Sequence, residues 1–419
     1  MTRAYGRQGR ATGAYGRQKR TRRANATLMR RPGLSSDMEP LLVVGLAVAM
    51  FVGYNIGGAN TAPAFGPAVG AGVVGKLLAA GLMTVFFLAG GWTFGREVIG
   101  TLGGDIVPSE LFTLEASIVV LFFIGLALFV SNVLGVPAST SMTAVGSIAG
   151  LGLAAGSLDW ETMGRIVSWW IVAPIVAFWI SGVVGRYFYP RINAWVAIPE
   201  SEGSPFDGDA TRREFVGALV VVGIGCLMAF SSGASNAANA IAPLVGSGEL
   251  DVDVGILLAT GAVGLGAFTI ARRTLDTMGN DLTELPLTAA IVVAVVSATA
   301  TTALAAIGIP ASFVIIATMS IVGLGWGRAT RTATAREAVA GDPPSVSVGA
   351  LTADDAATVG DAGGGGSSPP IGEENAGDIP AASDLFDPET TGRVILMQNV
   401  VPAIATVGAF LVFRLLSFI

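Results

Sequence analysis

The sequence predicts an all-α polytopic membrane protein of two inverted-topology repeats with broken or re-entrant helices, about 10–12 membrane segments in all. Three observations carry this. The 419 residues are 52% hydrophobic and only 13% charged, too apolar for a soluble domain of that length. Apolar runs long enough to cross a bilayer recur from end to end. Two polar stretches align without a gap: one runs from Asn55 through Gly57, Gly58, Asn60, Pro63 and Gly66 to Pro67, the other from Ser232 through Gly233, Asn236 and Asn239 to Pro243. Each sets Gly, Asn, Ser or Thr and Pro where a membrane helix should run on. Paired interruptions in two halves of an apolar chain predict a substrate site at the bilayer midplane.

Taken in order, residues 1–36 hold ten Arg or Lys and no acid. Ala4-Tyr-Gly-Arg-Gln8 recurs there as Ala14-Tyr-Gly-Arg-Gln18, with no apolar segment of the kind a secretory signal needs. Residues 1–37 therefore read as a disordered basic leader, and Met38 as a natural alternative start. Residues 38–190 make a first transmembrane repeat, with apolar segments near 41–56, 77–94, 112–134, 142–156 and 165–188. The shorter ones beside Gly and Pro suit half-helices. A polar loop at 191–211 carries Pro199, Glu200, Glu202, Pro205, Asp207 and Asp209. The second repeat, 212–327, has segments near 213–231, 252–270, 286–308 and 312–327. Residues 328–392, rich in Gly, Ser, Pro and acid, cannot bury enough apolar surface to fold alone and read as a flexible loop. A last helix covers 393–416.

Basic residues set the expected orientation. Arg186, Arg191, Arg212 and Arg213 place the central loop in the cytoplasm, as Arg328, Arg331 and Arg336 do for the 328–392 loop. From Asp37 onward acids outnumber bases, and Lys19 and Lys76 are the only lysines. That balance resembles proteins of salt-loving microbes, whose carboxylates keep surfaces hydrated.

Composition also excludes chemistry. With no histidine there is no Ser-His hydrolase, His-ligated zinc site or histidine relay. Cys226 stands alone in an apolar run and reads as a packing residue. No phosphate-binding Gly-x4-Gly-Lys-Ser/Thr loop is present, so ATP is not coupled within this chain. No cofactor and no nucleic-acid partner are expected.

Two further signatures recur in the same order. Thr101-Leu-Gly103-Gly-Asp105 returns as Thr277-Met-Gly279-Asn-Asp281. Gly135-Val-Pro137-Ala-Ser139-Thr140-Ser141 returns as Gly308-Ile-Pro310-Ala-Ser312-Phe313-Val314. Equivalent placement of Asp105 and Asp281 predicts a shared capping role, and Arg96, Arg272 and Arg273 read as interfacial anchors. Hydroxyls at Ser139, Thr140 and Ser141, just after Pro137, suit the start of a half-helix, where unpaired N–H groups attract an oxyanion; Ser312 after Pro310 repeats the arrangement.

On these three duplicated motifs the chain resembles the inorganic phosphate transporter (PiT) family over 41–327 and the final helix. The resemblance implies a multi-pass permease of the plasma membrane. Such a protein moves inorganic phosphate by alternating access, usually with Na⁺ or H⁺, and is not an enzyme. It also implies a homodimer. Carried over by position, Ser139, Thr140, Ser141, Asn239 and Ser312 bind substrate. Asn60 and Asn236, standing where the family has aspartates, hold the coupling cation, with Na⁺ as the candidate metal. Gly57, Gly58, Gly66, Pro67, Gly233 and Pro243 shape the backbone. The motifs also depart from the family: Pro63 replaces the first-half counterpart of Asn239, and Phe313 and Val314 replace hydroxyls in the second half. Loss of both motif carboxylates leaves a sulfate or other oxyanion permease open, because sulfate brings no proton needing an acceptor. The apolar Phe313 and Val314 leave open a transport-inactive sensor or assembly partner.

Overall fold

The computed structural model describes residues 38–70, 72–134, 138–196, 212–270, 287–330 and 388–416. The leader 1–37, most of the 191–211 and 328–392 segments, Pro137, and the second Thr-x-Gly-x-Asp copy with Arg272, Arg273 and Asp281 lie outside them. Contacts set Met1–Val43 apart from Val44–Ile419. The described part of the first unit is the opening turns of one helix, and the packing below belongs to the second.

Every regular element among the described residues is helical. In chain order these are α1 (Met38–Gly70), α2 (Lys76–Thr93), α3 (Gly95–Gly100), α4 (Leu114–Leu134), α5 (Thr140–Ala155), α6 (Trp160–Val183), α7 (Tyr189–Val196), α8 (Arg212–Gly246), α9 (Val252–Thr269), α10 (Leu287–Ala306), α11 (Phe313–Ala329) and α12 (Pro388–Leu416). A π-helical turn, Thr101–Asp105, follows α3, and another, Val184–Phe188, joins α6 to α7. Eight helices among the described residues are long and apolar enough to cross a membrane, and α5 and α11 are shorter apolar helices. Side chains such as Ile171 and Trp179 on α6 and Val407 on α12 stay exposed, as lipid-facing residues do.

The expected interruptions do not fall at the Asn motifs. α1 is one helix of 33 residues with Pro63 and Pro67 inside it, and α8 is one helix of 35 residues containing Pro243. Their small residues serve close packing instead of unwinding. A Cβ added at Gly57 would stand 2.0 Å from the Val263 carbonyl oxygen of α9. One added at Gly233 would stand 2.0 Å from the Phe87 carbonyl oxygen of α2. The reverse contacts match: Gly266 would meet the Tyr54 oxygen at 2.1 Å, and Gly90 the Phe230 oxygen at 1.9 Å. Gly57 pairs with Gly233 in the alignment, and the same register pairs Phe87 with Val263, Tyr54 with Phe230 and Gly90 with Gly266. Each motif helix is thus locked onto the second helix of the other half, through equivalent residues.

Around these four helices lie two flanking groups. α12 packs on α5 and α4, and α6 packs on α11 and α10. The last helix therefore associates with first-half elements, and α6 with second-half ones. Gly150 on α5 faces the Thr406 backbone oxygen of α12 at 2.5 Å from an added Cβ, and Gly323 on α11 faces Phe178 of α6 at 2.1 Å. The chain after the second π-helical turn stays helical to Val196, six residues into the segment read as loop. Likewise α12 begins at Pro388, before the expected 393.

The real breaks precede α5 and α11. Ser139 (φ −74°, ψ 109°) and Ser312 (φ −84°, ψ 105°) are extended, and each caps the helix that follows. α5 closes at Gly156, whose φ of 66° is the left-handed conformation that glycine adopts without strain. Asp105 has no capping role: it lies exposed in the π-helical turn.

Candidate functional site

The duplicated motifs meet where the N-terminus of α5 faces the middle of α8. Ser139 caps α5, its Oγ accepting from the Met142 amide at 3.2 Å, so the next two hydroxyls are presented on the first turn. Thr140 Oγ1 donates to Asn236 Oδ1 at 2.6 Å, and Ser141 Oγ reaches the same oxygen at 3.4 Å. One helical turn further along α8, Asn239 Nδ2 donates to Asn236 Oδ1 at 3.0 Å and to Ser141 Oγ at 3.4 Å. Thr140 and Asn239 thus direct donors at a single amide oxygen, with the Ser141 hydroxyl within reach of it. Ser139, Thr140, Ser141, Asn236 and Asn239 are all buried, Asn239 completely.

Two members escaped the sequence reading. Ser235 shares a 3.2 Å hydrogen bond with Ser141 and donates to the Ala311 carbonyl at 3.1 Å. Ser232 accepts from Asn236 Nδ2 at 3.3 Å. The signal was present as spacing: Ser232 and Asn236, like Ser235 and Asn239, stand four residues apart on one helix and share a face. Ser235 also ties the cluster to the backbone just before α11. Ser312 there accepts from the Ile315 amide at 3.3 Å, and Trp170 of α6 donates its indole N–H to Pro310 O at 2.7 Å. Ser312 has no hydrogen bond to the hydroxyl–amide cluster and lines a small pocket with Trp169, Trp170 and Pro174.

The other half of the expected site is not assembled in this way. Asn60 Nδ2 is buried without a hydrogen-bond partner, and no hydrogen bond links it to Asn236. The physical reason is the composition of its half. Asn239 has Pro63 as its counterpart, Ser235 has Ala59, and Thr140 and Ser141 have Phe313 and Val314. Nearby, Asn132 Nδ2 donates to Asn55 Oδ1 at 3.0 Å and to Asn55 O at 3.1 Å, which binds α4 to α1. Gly57, Gly58 and Gly233 are helix-crossing positions, as described. Gly66 and Pro67 lie in the last turns of α1, and the Pro243 carbonyl accepts from Ser117 of α4 at 2.8 Å.

The cluster carries no formal charge. Among the described residues no three His, Cys, Asp or Glu side chains come together to hold a metal ion. What it offers is O–H and N–H donors, the α5 N-terminus with its partial positive charge, and neutral oxygens. Such a set can replace the hydration of a tetrahedral anion, and its oxygens suit a hard cation such as Na⁺. Outside it, Arg96 stacks on Trp92 with its guanidinium carbon 4.6 Å from the ring centroid, and pairs with Asp253 at 2.6 Å. That fits an interfacial anchor better than a ligand.

Comparison with known proteins identifies the family. The model of the phosphate transporter family matches residues 56–353. The chain is similar to the sulfate permease CysP of Bacillus subtilis (30% identity over 288 residues, 68% of this chain and 77% of that protein). It is also similar to a Chlamydia pneumoniae protein named as a phosphate permease (23% over 392 residues, 70% and 91%). Its fold matches a solved sodium-dependent phosphate transporter with a TM-score of 0.57 and 17% identity, covering 90% of this chain and 100% of that one. With the family model matching most of its length, and with eight helices among the described residues long and apolar enough to cross a membrane, the chain belongs to the phosphate transporter family and is a multi-pass membrane protein.

Proposed function

We propose that this chain is a permease, not an enzyme, that moves inorganic phosphate across the plasma membrane by alternating access, coupled to Na⁺ or H⁺. The observation that carries the reading is the convergence of Thr140, Ser141 and Asn239 on Asn236 Oδ1, buried at the N-terminus of α5. Thr140 and Ser141 supply hydroxyl donors to the anion beside Asn239, with Ser139 holding the helix start. When the two hydroxyls turn to an anion, Asn236 Oδ1 keeps only the Asn239 donor. A cation then satisfies it, aided by the oxygens of the same hydroxyls, whose protons now point away. Anion and cation binding support each other through one amide, and Asn60 is the second cation position. A homodimer accords with the family.

A second reading is sulfate. It is favoured by the absence of any carboxylate in the cluster, since sulfate needs donors only, and by the similarity to the Bacillus subtilis sulfate permease.

Uptake of labelled phosphate and sulfate into proteoliposomes, with and without a Na⁺ gradient, tests both. Saturable phosphate uptake is expected, lost in Thr140→Val/Ser141→Ala while the protein still inserts. Full uptake in that double variant removes the cluster from the mechanism, and uptake of sulfate alone replaces the first reading with the second.

A further inference from the structure

One acceptor in the cluster is unused. Asn239 is completely buried, and its Oδ1 has no hydrogen-bond partner. Its orientation is fixed, because Nδ2 donates to Asn236 Oδ1 at 3.0 Å and to Ser141 Oγ at 3.4 Å. Turning the amide over would set two carbonyl oxygens against each other. Neighbouring acceptors are engaged: Asn236 Oδ1 receives Thr140 and Asn239, Ser139 Oγ receives the Met142 amide, and Ser232 Oγ receives Asn236 Nδ2. A buried carbonyl oxygen without a donor is costly, and it is relieved by a ligand that brings an O–H.

We infer that Asn239 Oδ1 is the specificity determinant of this site: it accepts the O–H of a protonated tetrahedral oxyanion and disfavours one that carries no proton. The inference rests on the oxyanion reading of the α5–α8 cluster. Near neutral pH phosphate and arsenate each keep at least one O–H, whereas sulfate and selenate keep none. An unprotonated anion sets an oxygen lone pair against the completely buried Asn239 Oδ1. The discrimination follows protonation and not size, since arsenate is larger than phosphate and selenate larger than sulfate.

The test is binding of phosphate, arsenate, sulfate and selenate to the purified full chain in lipid nanodiscs, by calorimetry at neutral pH, for the native protein and Asn239→Ala. The native protein is expected to bind phosphate and arsenate about tenfold or more tightly than sulfate and selenate, the scale of one buried hydrogen bond made or missed. Asn239→Ala, having lost the acceptor, is expected to bring the four within about threefold, chiefly by weakening the protonated pair. Sulfate and selenate binding to the native protein as tightly as phosphate overturns the inference while leaving an oxyanion site standing. No binding of any of the four by folded protein overturns that site as well. Should Asn239→Ala not fold, Asn239→Leu removes the acceptor at similar volume, and a preference for the protonated pair that survives undiminished in either variant overturns the inference.

Discussion

Replacing Gly57 by alanine tests the packing on which the site depends. The added methyl would stand 2.0 Å from the Val263 carbonyl oxygen, which is backbone and cannot rotate away. Relief to an ordinary contact at 3.4 Å requires α1 and α9 to separate by about 1.4 Å, and gaps of that order forfeit about half or more of each dispersion contact along the crossing. Overpacking costs about 1–3 kcal/mol, and a clash with backbone belongs at the top of that range. At about 2–4 °C per kcal/mol, the scaling for soluble domains of 150–250 residues, the melting temperature falls by about 6–12 °C. Gly233→Ala, 2.0 Å from Phe87 O, should behave alike because it is the equivalent crossing. Gly81→Ala and Gly164→Ala are the controls: nothing lies within 4 Å of the new methyl, and alanine in a helix gains up to about 1 kcal/mol over glycine. The assay is thermal unfolding of detergent-solubilised protein followed by size-exclusion profile. Gly57→Ala and Gly233→Ala melting together with the controls would refute the crossing geometry, and a large difference between those two would refute the equivalence of the halves.

Three other outcomes are expected. Asn60→Asp should shift the Na⁺ dependence of uptake to lower concentration, since a carboxylate holds a hard cation more tightly than an amide; uptake indifferent to Na⁺ in both proteins would point to H⁺ coupling or passive flow. A protein starting at Met38 and lacking 345–380 should insert and transport, because coil reach grows only as about 5–6 Å × √n; loss of the monodisperse size-exclusion peak would show that one of those segments packs on the membrane helices. Asp159 caps α6, and the Thr162 amide, the largest influence, holds its carboxyl below the ordinary 3.8. Its stabilising effect is complete above the ordinary carboxylate pKa and fades as pH falls through the lowered one. The decline in melting temperature below about pH 4 should therefore be shallower in Asp159→Asn, and identical acid limbs would deny the cap this role.

The sequence by itself determined the membrane class, the duplication, the order of the helices and, outside the two Asn motifs, their near-limits. These rest on apolar run length and on local spacing, which a linear chain displays directly. Asn236, Asn239, Thr140 and Ser141 were legible as candidates for the same reason: polar groups stand out in apolar helices. Tertiary structure decided what the residues do. Gly and Pro in the Asn motifs looked like helix breaks, but whether a glycine unwinds a helix or lets another backbone approach depends on a neighbour far along the chain, here Val263 for Gly57 and Phe87 for Gly233. Only the fold paired α12 with α5 and α6 with α11. Only the fold separated the equivalent asparagines, gathering hydroxyls around Asn236 while Asn60 Nδ2 is buried without a partner. Sequence spacing shows which residues share a face; what lies opposite that face is set by long-range packing, and that is what made one half of the duplicated motif a donor-rich site.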